Sequence, residues 1–218
     1  MGKNRYYSST SAYDEAIRTL RTNIQFSDID NKFKKILVTS SIPNEGKTTI
    51  SVGLASSFAE NGFKVLLIDC DLRSPSMHKE FQTENSVGLT NLLLDKKKIS
   101  NVIKEDSKQE NLHVIFSGPT PPNPSEILSS HKMREIIETL EKDYDYIIID
   151  TPPAGMFSDA AVLSSTVADG VIIVTRSNYT KKDQLKYSID SIDKVGGKFI
   201  GVVMTFVEKE NSNYGSYY

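Results

Sequence analysis

Cysteine is nearly absent from the chain: Cys70 is the only one in 218 residues. A single thiol excludes an internal disulfide framework and suits a reducing compartment. Long apolar runs are missing as well. None approaches the roughly 20 residues needed to cross a bilayer, and the N-terminus has no apolar stretch of signal-peptide type. A soluble, cytoplasmic chain is the expectation. Neither sign of charge dominates: 26 Lys and Arg stand against 28 Asp and Glu, a formal net charge of -2. That excludes the broad positive field of a non-specific nucleic-acid binder, so no nucleic-acid partner is expected. Gly2 invites lipidation, yet the myristoylation motif needs Ser or Thr at position 6, where Tyr6 stands. Internal repeats and linkers are lacking too, and the length is that of one α/β domain with a sizeable core.

What is present is organised around Lys35 to Thr49, KILVTSSIPNEGKTT. The apolar run Ile36-Leu37-Val38 leads into a loop, and Gly46-Lys47-Thr48-Thr49 opens a helical pattern, the setting of a phosphate-binding loop. Backbone amides from Asn44 and Glu45 through Thr49 would point at phosphates, where the helix dipole also favours negative charge. Gly46 lets the backbone come close, Lys47 adds a point charge for the β- and γ-phosphates, and the Thr48 hydroxyl can ligate Mg²⁺. Ser41 occupies the position at which the usual pattern begins with glycine.

The remaining elements fall into line around this loop. Residues 1–12 are polar and read as a flexible arm. From Tyr13 to Phe26, Ile17, Leu20 and Ile24 recur at helical spacing. Glu15, Arg18 and Arg21 step by three along the adjoining side and share one face. Ile50 to Glu60 reads as a helix stopped by Asn61-Gly62. In KVLLIDCDLR, Lys64 to Arg73, a buried parallel strand ends at Asp69 and Asp71. Their carboxylates point to one side, and Cys70 points to the other as core filler. Paired carboxylates beside a phosphate loop suit a Mg²⁺–nucleotide site.

Gly88 to Leu94 reads as a short helix and Lys96-Lys97-Lys98 as a solvated loop. Leu112 to Phe116 is a strand, followed by four prolines between Pro119 and Pro124 that stiffen the chain. Ser125 is expected to cap one long helix, SEILSSHKMREIIETLEKDY, with His131 exposed on it. The strand Tyr146 to Asp150 closes on a third acid, the element that phosphate-loop enzymes place opposite Mg²⁺. Helices at Asp159 to Ala168 and Lys181 to Val195, with strands at Gly170 to Thr175 and Phe199 to Val207, complete the alternation. It predicts an α/β fold of P-loop NTPase type in one domain, a mostly parallel sheet with helices on both faces. Residues 208–218 form a tail too polar to order itself. They carry Tyr214, Tyr217 and Tyr218, aromatics of the kind that cluster where a chain binds or reacts.

The phosphate loop, LLIDCDLR and IIIDTPP together resemble the three Walker-type motifs of the bacterial protein-tyrosine kinases of capsule and exopolysaccharide systems. The likeness spans nearly the whole chain. Glu15-Arg18-Arg21 is similar to that family's E-x-x-R-x-x-R oligomerisation motif, with the helix taken as residues 13–27. Gly118 to Glu126 resembles its proline-rich stretch, and the terminal tyrosines resemble its phosphoacceptor cluster. The resemblance implies ATP as phosphate donor, held by Lys47 and the amides up to Thr49. It implies Mg²⁺ with Thr48, Asp71 and Asp150 around it. Asp69 then accepts the tyrosine proton or shares the metal, and Arg73 organises the acidic cluster or neutralises phosphate charge.

The same resemblance implies a ring of eight subunits in which one tail of tyrosines enters the neighbouring active site. It also implies protein tyrosine substrates, a transmembrane activator of polysaccharide co-polymerase type, and a cognate phosphotyrosine phosphatase. The chain would lie peripherally at the inner face of the plasma membrane through that activator. Two positions depart from the family pattern: Ser41, and Met204-Thr205-Phe206, where relatives commonly have an Asn that selects purines. The competing reading is a positioning ATPase of MinD/ParA type, which shares the fold and the paired aspartates. Such proteins carry an extra lysine after the first loop residue, where Ile42 stands here, and often a basic C-terminal helix. A non-catalytic nucleotide-binding scaffold is a third reading.

Overall fold

The structure, a computed structural model, describes residues 12–27 and 33–208. Most of the arm and the tail with Tyr214, Tyr217 and Tyr218 lie outside the described residues. In chain order the elements are α1 (Ala12–Phe26), β1 (Lys35–Ser40), α2 (Lys47–Glu60), β2 (Val65–Asp69), α3 (Met77–Glu80) and α4 (Leu89–Leu93). A 3-10 turn (Ile99–Asn101), β3 (Lys104–Asp106), β4 (Gln109–Ile115), α5 (Pro124–Leu128), α6 (His131–Leu140) and β5 (Tyr146–Asp150) follow. The last elements of the described residues are α7 (Asp159–Thr166), β6 (Gly170–Arg176), α8 (Lys182–Asp193) and β7 (Phe199–Thr205).

The seven strands form one sheet in the order β3-β4-β2-β5-β1-β6-β7, parallel except for β3, which runs antiparallel to β4 at one edge. The apolar runs of the strands follow from this placement, because a central parallel strand is covered on both faces. Alternate residues feed two separate cores. Ile36, Val38, Leu67 and Ile148 face α1 and α2, where Ile17, Leu54 and Phe58 meet them. Leu37, Leu66, Ile68, Ile147 and Ile149 face the opposite layer, built by α4 to α8. Cys70 is fully buried in that second layer, and burial pushes its thiol pKa up, as suits core filler.

Two expectations need correction. The short strand β3 was not anticipated, since Lys104-Glu105-Asp106 carries no apolar pattern. The long helix from Ser125 is two helices. Ser130 breaks it: its hydroxyl donates to the Ile127 carbonyl at 2.7 Å and accepts the Met133 amide at 3.2 Å, ending α5 and capping α6. Asn123 precedes α5 and Pro124 stands at its first turn, so Ser125 is not the cap. Its hydroxyl goes to Asp159 instead. The lysine triplet is exposed as expected, and so is His131, whose ring pairs with Glu135 at 3.2 Å.

Candidate active site

The strand order places β1 between β5 and β6, and β5 between β2 and β1, so three sequence motifs meet at the carboxyl ends of adjacent strands. Ser41 to Gly46 leave β1 as a loop. Asn44 and Gly46 both take left-handed backbone, with φ 63° and 88°. Asparagine tolerates that region better than most side chains, and glycine meets no penalty there. Gly46 caps α2 without a side-chain bond, which leaves the amides of the first turn available to an anion.

Glu45 does more than supply an amide. Its side chain is fully buried, and Oε2 accepts the amides of Ser41 at 2.7 Å and Ile42 at 2.9 Å. Its Oε1 accepts the Thr180 hydroxyl. The carboxylate therefore ties down the start of the loop, where the usual pattern has glycine and this chain has Ser41. Thr205 adds a further brace, its hydroxyl lying 2.7 Å from the Glu45 carbonyl and 3.0 Å from the Thr175 carbonyl.

The strand register sets the acids side by side, with Asp69 paired to Asp150 across β2 and β5. Ile148 and Asp150 share a face, so the Asp150 carboxylate meets α2. Oδ2 accepts the Thr48 hydroxyl at 2.8 Å and Oδ1 the Ser51 hydroxyl at 3.0 Å. Thr48 also lies 3.2 Å from the Ser76 hydroxyl. The Lys47 ammonium sits between acids, 2.9 Å from Asp71 Oδ2 and 3.6 Å from Asp150 Oδ2. Burial alone would lower the Lys47 pKa, but the charges of Asp150 and Asp71 outweigh it and the pKa is raised. Burial pushes the pKa of Asp150 up, against the pull of Lys47.

Asp69 lies deepest, with no exposed surface. Oδ1 accepts the Asp71 amide at 3.1 Å, while Oδ2 has no hydrogen-bond partner. Burial and the neighbouring Asp150 push its pKa well above the ordinary carboxylate range. Asp71 is nearer the rim, and its Oδ1 accepts the Ser74 amide at 3.0 Å. Among the described residues, no group of three or more His, Cys, Asp or Glu side chains could hold a metal ion by itself. The three aspartates thus do not form the closed acidic cage that their spacing could suggest. Lys47 stands among them. The residues nonetheless fit a Mg²⁺ held largely by phosphates, since that ion takes only one or two carboxylates and keeps its waters. Thr48 and Asp150, with Asp71 at the rim, would be its oxygen donors, and the unpartnered Asp69 oxygen stands beside them.

Arg73 is placed differently from the sequence expectation. Its guanidinium donates to Asp159 at 2.6 Å and to the Ser125 hydroxyl at 2.7 Å, and stacks 4.2 Å from the centre of the Phe157 ring. It anchors the proline-rich segment to α7 and donates to none of the three site acids. Ser51, Ser76, Asp159 and Thr180 are the site neighbours that sequence reasoning missed. Each is a common residue in no motif, so only proximity reveals it.

A family model described as an AAA domain matches residues 33–199, the stretch from the entry of β1 to the start of β7. The chain is 41% identical to the tyrosine-protein kinase YwqD of Bacillus subtilis, over 95% of this chain and 87% of that one. The chain belongs to the bacterial tyrosine-protein kinases. As a member of that family it also shares 38% identity with the tyrosine-protein kinase CpsD of Streptococcus agalactiae, over 94% of this chain and 88% of that one. The kinase domain of the Escherichia coli tyrosine kinase ETK superposes with a TM-score of 0.87 at 31% identity, covering 100% of this chain and 89% of that domain. The AAA-type nucleotide-binding fold and the enzyme class, a protein-tyrosine kinase, follow from this membership, and the positioning-ATPase reading is set aside. No helix among the described residues is long and apolar enough to cross a membrane.

Glu15, Arg18 and Arg21 do not form one uniform exposed face. Glu15 and Arg18 are exposed and 3.7 Å apart, whereas Arg21 turns inward and donates to the Ser57 carbonyl at 2.8 Å. A step of three residues drifts round the helix, so the third side chain reaches α2.

Proposed function

We propose that the chain transfers the γ-phosphoryl group of Mg²⁺–ATP to tyrosine hydroxyls, with Tyr214, Tyr217 and Tyr218 of a neighbouring subunit among the acceptors. The observation that carries this reading is the Lys47 ammonium held between Asp71 and Asp150 beside the Thr48 hydroxyl, at the mouth of an uncapped helix. Bound Mg²⁺–ATP supplies the transferable phosphoryl group and part of the charge that neutralises it. The chain does the rest. The amides of Asn44 to Thr49 and the Lys47 ammonium bind phosphate oxygens. Thr48, Asp71 and Asp150 hold the metal, directly or through its waters. Asp69, with a free oxygen and a raised affinity for protons, takes the proton that the acceptor tyrosine loses. A carboxylate is a weak base for a phenol, so that transfer comes late, and positioning and charge neutralisation dominate the barrier.

At the level of assembly, the reading includes a ring of eight subunits made through the helix that carries Glu15, Arg18 and Arg21. It includes an activator with transmembrane segments, of polysaccharide co-polymerase type, that brings the chain to the inner face of the plasma membrane. Other tyrosine substrates and an opposing phosphotyrosine phosphatase complete the cycle, which regulates capsule or exopolysaccharide synthesis.

Intact mass after incubation with Mg²⁺–ATP tests the reading, beside Lys47→Met and a chain ending at Ser212, each with and without the activator's cytoplasmic segment. Successive additions of one phosphate are expected for the wild type, none for Lys47→Met, and few for the shortened chain. ATP consumed with no gain in mass, even with the activator, would sink the kinase reading for this chain.

A further inference from the structure

Helices α1 and α2 pack side by side in register. Tyr13, Ile17 and Arg21 lie about one turn apart on α1, and Thr49, Gly53 and Ser57 about one turn apart on α2. The Tyr13 hydroxyl donates to the Thr49 carbonyl at 2.9 Å, and Arg21 donates to the Ser57 carbonyl at 2.8 Å. Both pairs are separated by 36 residues, so the helices run in the same direction. Gly53 sits between the two contacts.

Gly53 is the one glycine within α2, and glycine is disfavoured against alanine in a helix interior. Its neighbours supply the reason for it. A Cβ there would stand 2.2 Å from Tyr13 Oη, 3.1 Å from Tyr13 Cζ and 3.3 Å from Ile17 Cδ1. The missing side chain is the slot through which the phenol reaches α2. Thr49 belongs to the first turn of that helix, two residues beyond Lys47.

We propose that Tyr13 is a positioning residue of the phosphate site, its hydroxyl holding the first turn of α2 so that the amides of Lys47, Thr48 and Thr49 stay aimed at the phosphates. The proposal rests on the nucleotide reading given above. Its physical reason is preorganisation. An anion at a helix N-terminus is bound by amides whose direction is set beforehand, and any freezing of a loose first turn on binding is subtracted from the affinity. Neither Tyr13 nor Gly53 belongs to the phosphate-loop pattern or to E-x-x-R-x-x-R, and the contact they make reaches the loop at the Thr49 carbonyl.

Equilibrium binding of ADP and of inorganic tripolyphosphate, each with Mg²⁺, to the full chain tests it. The proteins are wild type, Tyr13→Phe, Gly53→Ala, Tyr13→Ala, and Tyr13→Ala with Gly53→Ala, with amide exchange of the α2 first turn followed alongside. Tyr13→Phe loses one hydrogen bond, and both ligands should weaken by the same factor, about three- to tenfold, with faster exchange at Lys47 to Thr49. Equal weakening of the base-free ligand places the effect at the phosphates. Gly53→Ala should weaken binding similarly in the Tyr13 protein and have no further effect on affinity in Tyr13→Ala. Wild-type affinity for both ligands in Tyr13→Phe would overturn the proposal, as would an equal effect of Gly53→Ala in both backgrounds. A wild-type chain that binds neither ligand would overturn the nucleotide reading itself, a result distinct from either.

Discussion

Asp69 combines complete burial, one unpartnered oxygen and a pKa pushed well above the ordinary range by desolvation and by Asp150. A carboxyl of this kind costs the folded state stability. Below the unfolded pKa it is neutral in both states and costs nothing for its charge. As the pH rises through its raised native pKa, the folded state must ionise it where ionisation is unfavourable, and stability falls. Asp69→Asn should therefore raise the melting midpoint of the nucleotide-free protein at neutral pH. Removing the cost of the buried charge is worth about 1–3 kcal/mol, several degrees for a chain of this size. The gain should shrink as the pH falls towards about 4, where both side chains are neutral. Tyrosine phosphorylation by the same variant should fall at least about a hundredfold. Thermal melts from pH 4 to 8 check the first half, and an Asp69→Asn variant no more stable than wild type at about pH 7.5 would contradict it.

Helix ends and helix faces carry the next set of consequences. Ser130 accepts the Met133 amide at the start of α6, so Ser130→Ala should cost about 1 kcal/mol and lower the melting midpoint by about 2–4 °C. A denaturant midpoint equal to wild type would show that the Ser130 cap adds nothing to stability. On α1 the three charged residues proposed to build the ring, Glu15, Arg18 and Arg21, should separate by role. Arg21 donates to a carbonyl of its own chain, and Arg21→Ala should destabilise the monomer by about 1.5–3 kcal/mol, the worth of a charge-assisted bond. Glu15 and Arg18 form a loose exposed pair, and their alanine variants should leave monomer stability within about half a kcal/mol of wild type. They should still abolish the ring in sedimentation. Replacing all three at once would mix loss of packing with loss of assembly, so the Glu15 and Arg18 pair is the cleaner probe.

Across the whole molecule, the nucleotide site, α1 and the far edge of the sheet are mechanically joined. Tyr13 and Arg21 tie α1 to α2, Glu45 ties the loop to Thr180 at the entry of α8, and Thr205 ties it to the end of β7. Beyond β7 the chain leads to Tyr214, Tyr217 and Tyr218, the acceptors proposed above. If one subunit's tail enters its neighbour's site, phosphate should cross between chains. Mixing a full-length Lys47→Met chain with an active chain ending at Ser212 should give mass gain on the Lys47→Met chain and almost none on the shortened one. Absence of gain on the Lys47→Met chain in a mixture that still forms rings would count against transfer between subunits.

The parallel strands, though not the antiparallel β3, and the three motifs could be read from the order of residues, because a covered parallel strand needs a continuous apolar run and a phosphate loop needs Gly46-Lys47-Thr48. The placing of two acids at the carboxyl end of β2 was legible from the apolar run that precedes them, although β2 ends at Asp69 and Asp71 stands just beyond it. The inward turn of Arg21, the burial of Glu45 under Ser41 and Ile42, and the use of Arg73 on Asp159 and Ser125 were not. Each depends on a partner more than thirty residues away or on a loop that closes back on itself, and no local pattern encodes such a meeting. The split between α5 and α6 was decided by Ser130 turning its hydroxyl onto the backbone, a choice that helix periodicity does not see. Local periodicity selected the elements, and the sheet order β2-β5-β1 alone brought the charges of Lys47, Asp69, Asp71 and Asp150 close enough to perturb one another.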